Sequence, residues 1–166
     1  WGDAMTFNHP LWQEQWADSA LLVLGKLGPD AAAWIEKAEL PLEKKFIEAV
    51  SMLYGEGDKV QRDVAYSRFL GQLYEQYPTH NEVASFYALS LLGKVSTGRD
   101  FTVYEEAGKV AEGVMARNPR HPGGLHYLIH AYDDPYHAEQ ALTAAHRYAK
   151  VAPDAAHALH MPSHIF

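Results

Sequence analysis

The sequence predicts an all-α fold, a solenoid of short helical hairpins. Three observations predict it. Apolar residues recur at three- and four-residue intervals through most of the chain, and alternation with a period of two is never sustained. Gly, Pro, Asp and Asn divide these stripes into short segments joined by short turns, the pattern of antiparallel helical hairpins. Finally, Pro119 and Pro153 are 34 residues apart, and each is followed seven residues on by a histidine (His126, His160) and eleven residues on by another (His130, His164). A period of 34 residues marks a helix–turn–helix solenoid unit.

The elements follow in order. Residues 1–8, WGDAMTFN, read as the end of a helix, and His9-Pro10 opens another, since Pro is well placed in a first helical turn. Beyond Leu11, the residues Trp12, Trp16, Ala20 and Leu24 recur every four and form one stripe, closed by Gly25 and Gly28-Pro29. Asp30 is an N-cap for a short helix over 31–38, and Leu40-Pro41 breaks the chain. Residues 42–54 form an amphipathic helix with Phe46, Ile47, Val50, Leu53 and Tyr54 on one face. After the turn 55–58, a helix over 64–77 carries Phe69, Leu70, Leu73, Tyr74 and Tyr77, and Pro78 closes it. Asn81 caps a helix over 82–94, with Phe86, Tyr87, Leu91 and Leu92 apolar. The stretch 95–101, VSTGRDF, is the longest polar connection and absorbs the seven extra residues that separate Pro78 from Pro119. Thr102 caps a helix over 103–117; helices over 122–132 and 138–151 and the histidine-rich end complete nine or ten helices.

Composition excludes several classes of function. A net charge of −7 without a Lys/Arg block argues against nucleic acid or an anionic membrane as partner. No apolar run approaches the ~20 residues of a membrane span. Without cysteine there are no disulfides, no thiolate catalysis and no Cys-based zinc site, so redox compartment is not indicated, and cytoplasm and periplasm both fit. Trp1 reads as a processed or trimmed start.

The chemistry concentrates at the end of the chain, where eight of the ten histidines lie between Pro119 and Phe166. Residues i and i+4 share one helix face, so His126 and His130 point the same way. A repeat in strict register sets His160 and His164 alongside them, and four imidazoles then face one surface. Neutral imidazole is the commonest protein metal ligand, and an imidazole-only shell suits zinc, copper or nickel. The expected ligands are therefore His126, His130, His160 and His164, with His157, His121 and His9 in reserve. Ligating histidines pass their other N–H to a carboxylate or carbonyl; Asp133, Asp134 and Asp154 are nearby in sequence, and Tyr127 adjoins the first pair. Pro162 complicates the second pair: it removes a helix hydrogen bond and pushes Met161 toward extended backbone, so His160 and His164 straddle a kink or a helix start. Glu82 is a further carboxylate on the preceding repeat. There Ser85 and Leu89 stand where the histidine pair stands later.

Residues 122–153 resemble a tetratricopeptide repeat. Its first-helix apolar positions match Leu125, Leu128 and Tyr132, its small second-helix position Ala141, and its closing proline Pro153. Ile129 stands where the repeat prefers glycine, and Ala145 and Tyr148 look like a swapped large–small pair. The next unit starts alike with Leu159 and Phe166. The phrases WGDAMTFNHPLW, HPGGLHYLIHAYDDP and HALHMPSHIF are similar to a group of bacterial tetratricopeptide-like proteins with no assigned chemistry to carry over. The resemblance implies that residues 1–166 are one tetratricopeptide-like helical domain, the N-terminal part of a longer solenoid. It also implies that His126, His130, His160 and His164 face the concave groove.

Three functions fit this reading. One is a scaffold holding a transition-metal ion, zinc or copper foremost. A second is a peptide- or protein-binding adaptor, which the resemblance favours, although Lys, Arg and Asn are missing from the groove positions that grip carboxylates in that family. The third is a metal-dependent hydrolase. HYLIH is not HExxH, and Tyr127 stands where a zinc protease has its general base. No nucleophile elbow or phosphate loop is present, so the balance favours a protein that is not an enzyme.

Overall fold

A computed structural model describes residues 1–9 and 15–166. Among these residues the chain is helical throughout, with ten α-helices, a terminal 3-10 turn and no strand beyond an isolated antiparallel bridge between Asn8 and Gln15. The helices are α1 (Gly2–Met5), α2 (Ala17–Leu24), α3 (Ala31–Glu36), α4 (Pro41–Leu53), α5 (Lys59–Gln76), α6 (Asn81–Gly93), α7 (Phe101–Arg117), α8 (Pro122–Tyr132), α9 (Ala138–Val151) and α10 (Ala156–His160), followed by the 3-10 turn Met161–His164.

From α3 to α4 and from α4 to α9, each helix packs on the next, and α6 also touches α8 across the intervening helix. The apolar stripes explain why. Phe46, Ile47, Val50 and Leu53 of α4 are buried, as are Leu70 and Leu73 of α5 and Leu91 and Leu92 of α6. Two core clusters result. One joins α1–α6 around Leu24, Trp34, Leu53 and Leu70; the other joins α6–α10 around Leu92, Val114, Leu125, Ile129 and Met161. Tyr74 and Tyr87, stacked at 5.4 Å, pack against both. Each fully buried Leu or Ile contributes about 1.5–3 kcal/mol.

Small residues set the close approaches around α8. A Cβ on Gly108 would lie 2.5 Å from the Tyr132 ring, and one on Gly124 would lie 2.9 Å from Val114. Helix α8 can therefore seat deeply against α7. On the other side Gly123 faces Ser85 of α6, which is why the HPGG segment begins a helix with two glycines.

Several boundaries differ from the expected ones. Of the stripe read from Leu11, residues 10–14 lie outside the described residues, Trp12 among them. Trp16 is not helical: its N–H bonds to the Phe7 carbonyl at 2.9 Å, it is 64% exposed, and it caps a helix that starts only at Ala17. Helix α5 begins five residues earlier than the apolar pattern suggests, because Asp58 and Gln61 form a capping box. The cap of α6 is His80 and not Asn81, whose Oδ1 accepts from Arg117 Nε at 2.9 Å. The cap of α7 is Asp100 and not Thr102; its carboxylate accepts from the Thr102 and Val103 amides. The short helix capped by Asp30 stops at Glu36, two residues before the expected Ala38.

Candidate metal centre

Helix α8 carries the first histidine pair. His121 caps its start, with Nδ1 accepting the Gly124 N–H at 3.2 Å, and Pro122 occupies the first turn, where its missing N–H is not needed. At the other end Arg99, from the 95–101 connection, donates from Nη2 to the Ala131 carbonyl at 2.6 Å and reaches the His130 carbonyl at 3.4 Å. The same guanidinium pairs with Asp134 at 3.2 Å and lies over Tyr104 at 4.1 Å. Orphan carbonyls at a helix end need such partners. Arg99 thus fixes the last turn of α8, and with it His130.

On this helix His126 and His130 turn to one side, their Nε2 atoms 3.0 Å apart. The third ring is His157 of α10, whose Nε2 lies 2.9 Å from that of His126. The three residues offer ligand atoms that all lie within 4.8 Å of one another, enough to hold a metal ion. The His126 ring is stacked between Tyr127 at 5.1 Å and Tyr148 at 5.2 Å. Tyr148 reaches this ring from α9.

The second pair stands beside this trio. His160 and His164 bring their Nε2 atoms to 3.0 Å, and His164 Nδ1 lies 2.8 Å from Asp133 Oδ2. The ring centroids of His130 and His164 are 6.1 Å apart, and those of His157 and His160 are 6.4 Å apart. The side-chain contacts follow no single register: His157 to His126 and His164 to Asp133 join residues 31 apart, whereas the His130 and His164 rings, which also meet, are 34 residues apart. His157, held in reserve by the sequence, is the imidazole that reaches His126, and His160 pairs with His164. Met161 is not extended: its φ of −52° and ψ of −37° keep it helical. Pro162 sits in the first turn of the 3-10 segment, where a missing N–H leaves no bond unmade.

The remaining expected residues fall elsewhere. His121 is buried at the α6–α8 contact, its Nε2 3.1 Å from Glu82 Oε1, and its Nδ1 3.5 Å from Ser85 Oγ. Both its nitrogens are committed to holding α8 on α6, so neither His121 nor Glu82 joins the cluster. Asp134 turns toward His137 Nδ1 (2.9 Å) and Arg99, and it orders the loop after α8 without facing the histidines. Burial raises its pKa, but the hydrogen bonds from His137 and Tyr136 and the charge of Arg99 outweigh this and hold it below the usual carboxylate range. Asp154 is exposed. His9 lowers His130 and His157 slightly through its charge, after burial and the nearer imidazoles.

The electrostatics favour neutral rings. Burial, then the charges of His157 and His164, lowers His126 to about 4. Burial, then His126 and His164 and the other neighbouring imidazoles, lowers His130 to about 3. Burial and then His160 lower His157 as well. Deprotonated imidazole is the form that ligates metal.

The sequence did not indicate the parts played by Arg99 and Tyr148, and it held His157 only in reserve. Of the first two, Tyr148 alone carried a signal, its exchange of size with Ala145. Comparison with known proteins returns no matching family model, no matching curated protein and no matching solved structure.

Proposed function

We propose that this chain is a tetratricopeptide-like solenoid that binds a transition-metal ion of the zinc, copper or nickel class through the Nε2 atoms of His126, His130 and His157. Sequential packing of α4 to α9 and the contact between α6 and α8, first helices of successive hairpins, support the solenoid reading. The observation that carries the metal reading is the crowding at His126 Nε2. A neutral imidazole nitrogen has either one N–H or one lone pair. His126 Nε2 has two nitrogen neighbours, at 3.0 and 2.9 Å. With neutral rings at most one of these two contacts can be a well-aligned hydrogen bond, and protonating the rings is opposed by desolvation and mutual repulsion. Three lone pairs converging on one cation remove the conflict. Tetrahedral bonds of 2.0–2.1 Å separate ligand nitrogens by about 3.3 Å, close to the 3.0 and 2.9 Å that separate His126 Nε2 from the other two.

The test is metal content by mass spectrometry, on protein purified without a polyhistidine tag or chelator. Near-stoichiometric metal is expected, with loss in His126→Ala and in His130→Ala. Absence of metal, together with no gain in melting temperature on adding zinc, copper or nickel, contradicts the reading and leaves peptide binding in the groove as the function to pursue.

A further inference from the structure

We infer that the histidine cluster holds two metal ions, the second bound by His160 and His164 with Asp133 as a positioning residue. This rests on the reading of the trio as a metal site and extends it. The count of donors is the first reason. Zinc bound by protein side chains takes four ligands at most in structural sites and three in sites that keep an open position. Five imidazoles gather here, and they divide by distance into a trio joined at 3.0 and 2.9 Å and a pair joined at 3.0 Å. The division follows the elements: His126 and His130 sit on α8 with His157 at the start of α10, whereas His160 and His164 end α10 and the 3-10 turn.

The tautomer of His164 is the second reason. An ionised carboxylate only accepts hydrogen bonds. Asp133 Oδ2, 2.8 Å away, therefore fixes the ring proton of His164 on Nδ1 and leaves a lone pair on Nε2. That is the carboxylate–histidine arrangement that orients a metal ligand. The lone pair points at His160 Nε2, whose own lone pair faces the same space once its proton moves to Nδ1. The side chains of His164 and Asp133 are each about one-third exposed (32% and 34%), so the second ion would sit at the rim of the cluster with positions left for water or a substrate oxygen. The two ions would be neighbours, since the His130 and His164 rings are 6.1 Å apart. Adjacent ions of this kind can share a ligand between them.

The experiment is titration of the chelator-treated full chain with Zn(II), read by calorimetry and by metal analysis after gel filtration, with circular dichroism confirming the helical fold of each variant. Two equivalents are expected, the second weaker. His164→Ala and His160→Ala should each leave one equivalent bound at the wild-type first affinity, and Asp133→Asn should weaken only the second ion, by about 10–100-fold. A single equivalent in the wild type overturns the inference, whether or not His164→Ala affects it. No bound metal overturns the trio reading itself, which makes the two failures distinguishable.

Discussion

The chain writes HxxxH twice, and the two copies fold differently. His126 and His130 lie within an unbroken helix, capped by His121 at one end and by Arg99 at the other, and their rings meet at an interplanar angle of 47°. His160 and His164 lie across the join of α10 and a 3-10 turn, and their rings meet at 86°. The Nε2 separation is 3.0 Å in both pairs. An i, i+4 spacing thus sets the distance between two imidazoles in either geometry, while the surroundings set their chemistry. The first pair is half-buried against tyrosines and a third histidine; the second is exposed and leans on a carboxylate.

The sharpest break in this comparison concerns which histidine completes the first pair. If His157 and not His160 completes the first site, His157→Ala should cost the first ion more than the ~10–100-fold that follows loss of a supporting contact. His160→Ala should leave that affinity unchanged. Competition titration with a zinc chelator measures both, and equal losses would place His160 among the ligands of the first ion.

Next in size is the pH dependence. His126 and His130 have folded-state values of about 4 and about 3, below the 6.5 of an unfolded histidine. Between those values the unfolded chain binds protons that the folded chain does not. Metal-free stability should therefore fall as the pH drops from about 6.5 toward 4, at up to about 1.4 kcal/mol per pH unit for each group. Urea unfolding at a series of pH values checks this, and His126→Gln combined with His130→Gln should flatten the profile. A slope that survives the double substitution would assign it to other groups.

Arg99→Ala should cost roughly 1–3 kcal/mol, since it strips the carbonyls at the end of α8 and the Asp134 carboxylate of their partner. It should also weaken the first ion by loosening His130, which thermal melts with and without zinc would register. The smallest effect is expected from Pro162→Ala. The backbone there is already helical, so stability should change by less than about 1 kcal/mol. Any change in metal binding should fall on the second ion; a changed first affinity would show that the two pairs are coupled.

Much of the helical layout was legible in the sequence. The bounds of α8 and α9, Pro122–Tyr132 and Ala138–Val151, coincide with the expected ones, because Pro122 suits the first turn of the one and strong apolar periodicity marks the other. Boundaries set by hydrogen bonds were not legible. The Asp58–Gln61 box lies in a stretch, GEGDKVQ, that reads as turn and polar face. His80 and Asp100 won their caps over Asn81 and Thr102, which are as good by type. The histidine cluster was legible as a gathering of residues, since eight of the ten histidines fall between Pro119 and Phe166 and include two HxxxH pairs. The order within it was not. Spacing along the chain does not decide which imidazole of α10 turns toward His126, and it is His157 and not His160 that does so. Arg99 was invisible for a similar reason: it reaches α8 from a connection whose length alone said nothing of where its side chains end.

The most direct test of a three-imidazole site is X-ray absorption at the zinc or copper edge, on the full chain loaded with one equivalent. The expected result is a first shell containing three imidazole nitrogens at about 2.0–2.1 Å, with the outer-shell scattering of histidine rings, reduced by one ring in His157→Ala and unchanged in His160→Ala. A shell of oxygen donors, or a histidine count that His157→Ala leaves untouched, would contradict it.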